Sequence, residues 1–247
     1  MADNRSPWAD FRTTPATRAR AVEVGGIHAR FMSQVYAWMT FGIVLTGFVS
    51  YATAQTPELV IRLVSNPLLF WGLIIAQFGA VIFLTAAINK VSALTATLVF
   101  LAYAALTGLT FSTIFLAYTQ ESIVNVFAIS ALAFGGLSAV GYTTQRDLGP
   151  IGSFATMGLF GMVGFMLLAM FFPGLNGNTM QQVVGVIGLI VFSGLTAYDT
   201  QRIKALNPLG QQGTDAERKG AVYGALILYL DFINLFLSML RLFGRRR

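Results

Sequence analysis

Asp231 stands near the middle of an apolar run, Leu228-Tyr229-Leu230-Asp231-Phe232-Ile233-Asn234-Leu235-Phe236, whose nearest charged residues are Lys219 and Arg241. A carboxylate at the centre of a bilayer costs several kcal/mol or more unless it is paired, protonated or wetted. A second acid, Asp199, closes the preceding apolar segment in Thr196-Ala197-Tyr198-Asp199-Thr200-Gln201. Two carboxyls brought close cannot both ionise cheaply, so they titrate in coupled steps. Protonated, such a pair joins two helices through a shared hydrogen bond. Deprotonated, it repels, hydrates and offers oxygen ligands to a hard cation such as Ca²⁺. Two acids fall far short of the roughly six to eight oxygens of a tight Ca²⁺ cage. Weak transient binding at Asp199 and Asp231 is therefore the expectation, and conduction requires weak binding. The alternative for each acid is structural, a buried group satisfied by a neighbouring hydroxyl, amide or basic side chain.

On a helix, Asp231, Asn234 and Ser238 fall on one face, and Tyr198, Thr196 and Ser193 offer polar groups on the preceding segment. Asn234 and Tyr198 are the candidates for orienting or hydrating the acids. Intramembrane aspartyl proteolysis also needs two acids sharing a proton, but Leu228-Tyr229-Leu230 precedes Asp231 where that chemistry has Gly-x-Gly, and Pro-Ala-Leu occurs nowhere. Enzymatic alternatives fail on inventory. The single histidine, His28, precedes the first apolar segment, there are no cysteines, and no P-loop, dinucleotide fingerprint or histidine cluster occurs. No catalytic residue and no tightly bound cofactor is expected.

The elements that must position the acids follow from composition. The 247 residues are 55% hydrophobic and 11% charged, against roughly 25% charged in soluble domains, with a mean hydropathy of +0.69. This reads as an all-α polytopic membrane protein whose partner is the bilayer. Charges, and a break at Phe171-Phe172-Pro173-Gly174-Leu175-Asn176-Gly177-Asn178, delimit seven segments near 31–53, 67–88, 92–118, 123–143, 151–172, 179–200 and 221–243. Residues 1–30 read as a disordered basic cytoplasmic tail interrupted by Pro7, Trp8, Phe11 and Pro15, residues 31–243 as the membrane domain, and 244–247 as a basic C-terminal tail. Stripes of Gly158, Gly161 and Gly164, and of Gly185 and Gly188, read as helix-packing surfaces.

The formal charge of +6 reflects tails and loops, which favours loop orientation and anionic headgroups over nucleic acid. With the N-terminus cytoplasmic, the tail and inner loops hold eleven Lys/Arg and the outer loops only Arg62. Seven crossings then put Arg241 and Arg245-Arg246-Arg247 outside, against the rule. A true seventh span and a final segment that re-enters the inner side both remain open.

The stretches Gly194-Leu195-Thr196-Ala197-Tyr198-Asp199-Thr200-Gln201-Arg202-Ile203 and Leu228 to Phe236 resemble the sixth- and seventh-helix motifs of the Bax inhibitor-1-like family, the transmembrane Bax inhibitor motif proteins. The likeness covers about residues 31–243. It implies seven helices with six surrounding a central seventh, and a pH-dependent Ca²⁺ leak with Asp199 and Asp231 as di-aspartyl sensor. It also implies a location in the bacterial cytoplasmic (inner) membrane and, as a second functional class, a non-transporting regulator of a membrane-bound ATP-dependent protease or of a stress or cell-death response. Some relatives latch the aspartates with a second-helix arginine. The matching residue here is Lys90, a departure, because a lysine offers one compact charge in place of a planar fork.

Overall fold

A computed structural model of the chain describes residues 15–172, 174, 177–206 and 213–247, with side chains from residue 25 onward, that of Asn178 excepted. Among these the secondary structure is helical: α1 (Pro15–Ala54), α2 (Pro57–Ser65), α3 (Pro67–Ala87), α4 (Ala93–Phe111), α5 (Ile114–Ala117), α6 (Gln120–Thr143), α7 (Gly149–Phe171), α8 (Asn178–Ala205) and α9 (Asp215–Phe243). Seven stretches are long and apolar enough to cross a membrane. They match the seven expected from charge-free runs, and the chain is a multi-pass membrane protein.

Boundaries shift where local chemistry outweighs hydropathy. Pro15, expected to interrupt a tail, is the first residue of the 40-residue α1, the position where proline's missing N–H costs nothing. Residues 15–30 are thus helical rather than disordered, while Pro7, Trp8 and Phe11 lie outside the described residues. Helix α9 starts six residues before its expected apolar onset because Thr214 caps it. The Thr214 hydroxyl accepts from Glu217 N at 3.3 Å and the buried Glu217 carboxylate accepts from Gly213 N at 2.5 Å, in the manner of a capping box. The third span is broken at Ser112 and Thr113, whose hydroxyls donate back to the Leu109 and Thr110 carbonyls at 2.6 and 2.8 Å.

Helix α9 is the spine, with 61% of its most apolar window buried against 6% for α3. It packs extensively along α1, α4, α6 and α8, whereas α3 rests chiefly on α4 and α7 on α8. Four of the six expected neighbours therefore line α9 directly, and α3 and α7 form an outer layer. Phenylalanines divide accordingly: Phe78, Phe154, Phe160 and Phe171 are exposed to the surroundings, while Phe100, Phe134, Phe192 and Phe232 fill the interior.

Helix α9 is uninterrupted, and its tail is held by backbone pairing at the far end. Thr119 N donates to Arg245 O at 3.0 Å, Arg247 N to Ala117 O at 3.1 Å, and Arg245 N to Ser122 Oγ at 2.8 Å. The re-entrant alternative is excluded, and Arg245–Arg247 lie on the face opposite the start of α1.

Close helix approach falls at particular glycines. A Cβ on Gly141 would strike the Ala197 backbone, so α6 and α8 meet main chain to main chain there. Gly158, Gly185 and Gly188 are also filled against neighbours, but Gly161 and Gly164 face open space; two of the three glycines in the expected α7 stripe are not at an interface. Gly141→Val should lower the thermal unfolding midpoint of the solubilised protein, an overpacking cost of about 1–3 kcal/mol. Gly161→Ala should leave it unchanged or slightly higher. Equal losses in the two variants would contradict this packing.

Candidate functional site

The end of α8 that carries Asp199 is fixed by its immediate neighbours in sequence. Thr200, fully buried, hydrogen-bonds Ser138 on α6 at 2.8 Å, and Ser138 in turn hydrogen-bonds Tyr36 on α1 at 2.5 Å. Gln201 clamps the α6–α7 turn from both sides, its amide donating to Arg146 O at 2.8 Å and its oxygen accepting from Leu148 N at 3.0 Å. Lys204 donates to Tyr142 O at 2.9 Å, with its ammonium 4.5 Å from the centre of the Tyr142 ring. Cations are favoured at such a helix C-terminus. Polar contacts from Thr200, Gln201 and Lys204 therefore set the rotation and depth of α8 around Asp199.

Helix α9 is locked by the aromatics that flank Asp231. Tyr229 is fully buried, sits edge-to-face with Phe100 and Tyr103 at 5.8 and 5.7 Å, and hydrogen-bonds Thr46 at 2.7 Å. The Thr46 hydroxyl is also within 2.8 Å of the Ala104 carbonyl. Phe232 packs edge-to-face on Phe127 and Phe134 of α6 at 5.4 and 5.6 Å. With residue 229 committed to α1 and α4 and residue 232 to α6, Asp231 is turned toward α8.

The two acids meet there. Asp199 and Asp231 are 9% and 5% exposed, and their carboxyls lie beside one another, within reach of a shared hydrogen bond. Asp231 Oδ2 is buried with no donor from the protein. Two carboxylates have only acceptors to offer one another, so the contact is satisfied when one proton lies between them. The full charge that acts on Asp199 is that of Arg202, three residues along α8 and exposed; the charge that acts on Asp231 is Asp199 itself.

The remaining sequence candidates are placed elsewhere. Tyr198, one step round the helix from Asp199, lays its ring against Gly152 of α7, where no Cβ would fit. Asn234 donates its amide to its own Leu230 carbonyl at 2.8 Å, and Ser238 donates to Asn234 O at 2.8 Å. Both line a cavity between α3 and α7. Lys90 is exposed in the turn after α3. His28 is half-buried in α1. Among the described residues no group of three or more His, Cys, Asp or Glu can hold a metal ion, so any cation at the aspartates would find two protein carboxyls only. Thr200, Gln201, Ser138 and Tyr36 escaped sequence reading, although the first two sit inside the motif that carries Asp199.

Asp231→Asn retains a donor toward Asp199 and should keep a thermal midpoint near that of the parent. Asp231→Leu strands the Asp199 carboxyl and should lower the midpoint by the cost of a buried unpaired group, about 1–3 kcal/mol. The reverse order of stability would contradict the contact.

Comparison with known proteins agrees with the two motifs. Residues 28–247 match the family described as inhibitor of apoptosis-promoting Bax1. The chain is 46% identical over 218 residues to the Escherichia coli inner membrane protein YbhL, covering 88% of this chain and 92% of that one. It is 42% identical over 221 residues to a protein of Borreliella burgdorferi, covering 90% and 94%. A protein of Caulobacter vibrioides is 34% identical over 245 residues, 96% of each chain. The chain belongs to the Bax inhibitor-1 family.

Proposed function

We propose that this member of the Bax inhibitor-1 family is a pH-sensitive cation leak of a bacterial inner membrane, with Asp199 and Asp231 as its sensor and Ca²⁺ as the ion best suited to it. The observation that carries this reading is the contact of two buried carboxyls from different helices, one of whose oxygens has no protein donor. A permanent structural contact would have been built from an amide or a hydroxyl, which cannot be switched by pH. The inner-membrane location rests on the relative that bears that description. The cytoplasmic placement of the start of α1 rests on the basic residues of that face, among them Arg30, Lys90, Arg146, Arg202, Lys204 and Arg218.

With one shared proton the pair holds α8 against α9, its two facing oxygens engaged with one another. Loss of that proton places two like charges side by side. At about 4 Å and an effective dielectric near 20 they repel by about 4 kcal/mol, enough to change the balance of two conformations by roughly a thousandfold. The freed oxygens suit a hard cation, and two of them bind it weakly enough to let it leave.

Liposomes containing the protein and a Ca²⁺ indicator should show flux that rises with pH across about 6 to 8. Asp199→Asn and Asp231→Asn should each remove that pH dependence. Arg202→Gln should move the midpoint to higher pH, because a cation one turn away stabilises the carboxylate form, while Lys90→Gln leaves it in place. Absent flux, or flux indifferent to pH and to both aspartates, overturns the reading.

A further inference from the structure

The outer layer leaves a crevice between α3 and α7 whose floor is α9, a cavity of ≈ 450 Å³, within the roughly 300–1,000 Å³ of small-molecule sites. Its walls are apolar except for Gln77, Tyr103, Asn234, Ser238 and Arg241. Its mouth faces the surrounding hydrocarbon, since Phe78 and Phe160, one on each side, are 66% and 71% exposed. Arg241 also lines an adjoining hollow with Met166 and Gln181. Among the described residues the ion pair present is Lys219–Asp215 at the other end of α9. The guanidinium is half-buried, then, with no acid paired to it among the described residues.

The dimensions say what would meet it. Arg241 lies in the last turn of α9, at headgroup depth on the face opposite the start of α1. The crevice runs from it along α9 to Leu230. Eleven residues of helix measure about 16 Å, close to half of the roughly 30 Å hydrocarbon core. An ionic end at headgroup level and an apolar slot one leaflet deep, open sideways to the bilayer, match a phospholipid. We propose that this crevice binds one anionic glycerophospholipid, its phosphodiester on the Arg241 guanidinium and one acyl chain in the slot. Guanidinium and phosphate pair through two parallel hydrogen bonds. The crevice offers no carboxylate to an ammonium, so a headgroup of the phosphatidylglycerol class is preferred over phosphatidylethanolamine. This site stands apart from the aspartate pair and does not depend on the leak reading.

Native mass spectrometry of the full chain in detergent, doped in turn with phosphatidylglycerol, phosphatidylethanolamine and diacylglycerol of the same chains, tests it. Retention of phosphatidylglycerol over diacylglycerol by about 10-fold is expected for a charge-assisted hydrogen bond. Phosphatidylethanolamine should fall between, and Arg241→Gln should reduce phosphatidylglycerol to the diacylglycerol level. Met166→Trp, which fills the slot and leaves the charge, should also displace the lipid. If Arg241→Gln does not fold, Met166→Trp decides alone. Equal retention of all three lipids, or unchanged retention in the variants, overturns the proposal. Displacement by inorganic phosphate at low millimolar concentration overturns it too, by assigning the arginine to a free anion.

Discussion

The contact between Asp199 and Asp231 is the constraint around which the bundle is arranged. Two carboxyls inside a bilayer can touch only while a proton lies between them, and everything near them fixes where they meet. On one side Thr200, Gln201 and Lys204 tie the end of α8 to α6 and to the α6–α7 turn. On the other, Tyr229 and Phe232 commit two faces of α9 to α1, α4 and α6, leaving Asp231 to face α8. The pair thus sits between two well-anchored helices.

Helices in lipid gain nothing from the hydrophobic effect on associating, so packing and polar contacts must hold them. The contacts are distributed accordingly. Main chains meet at Gly141, and buried hydroxyl links join α1 to α6 and α8 through Tyr36, Ser138 and Thr200, and α1 to α4 and α9 through Thr46 and Tyr229. Helix α3 shares less in this, reaching α4 through Gln77, which donates to Thr110 at 2.7 Å. The loosely held α3 and the outlying α7 leave the crevice beside Arg241, so the same economy of contacts that makes α9 a spine opens a slot along it.

Much of this was legible in the residues. Charge-free runs located the seven spans, because hydrocarbon tolerates so little else, and the isolation of Asp231 made it stand out for the same reason. Other features depend on angles that sequence proximity conceals. Tyr198 adjoins Asp199 but points to α7, and Asn234 shares a face with Asp231 yet spends its amide on its own helix. Lys90 was matched through the family motif, and in the structure it is exposed in the turn after α3. The early start of α9 was written in Thr214-Asp215-Ala216-Glu217, a capping signal masked by polarity. Beyond the polar face of the last span at Asp231, Asn234 and Ser238, sequence pattern gave little hold on the expected ring of six neighbours, because the other spans are largely apolar all round. Packing is what sets α3 and α7 apart from the helices that line α9.

The central claim is that one proton is shared by the two carboxyls, and infrared difference spectroscopy of the reconstituted protein between acid and alkaline pH tests it most directly. The account predicts a protonated-carboxyl stretching band, shifted in deuterium oxide and persisting above the pH at which the exposed acids ionise, that is lost or displaced in both Asp199→Asn and Asp231→Asn because the remaining acid has no carboxyl with which to share the proton. A band that survives one substitution unchanged, or no protonated-carboxyl band at any pH, would contradict it.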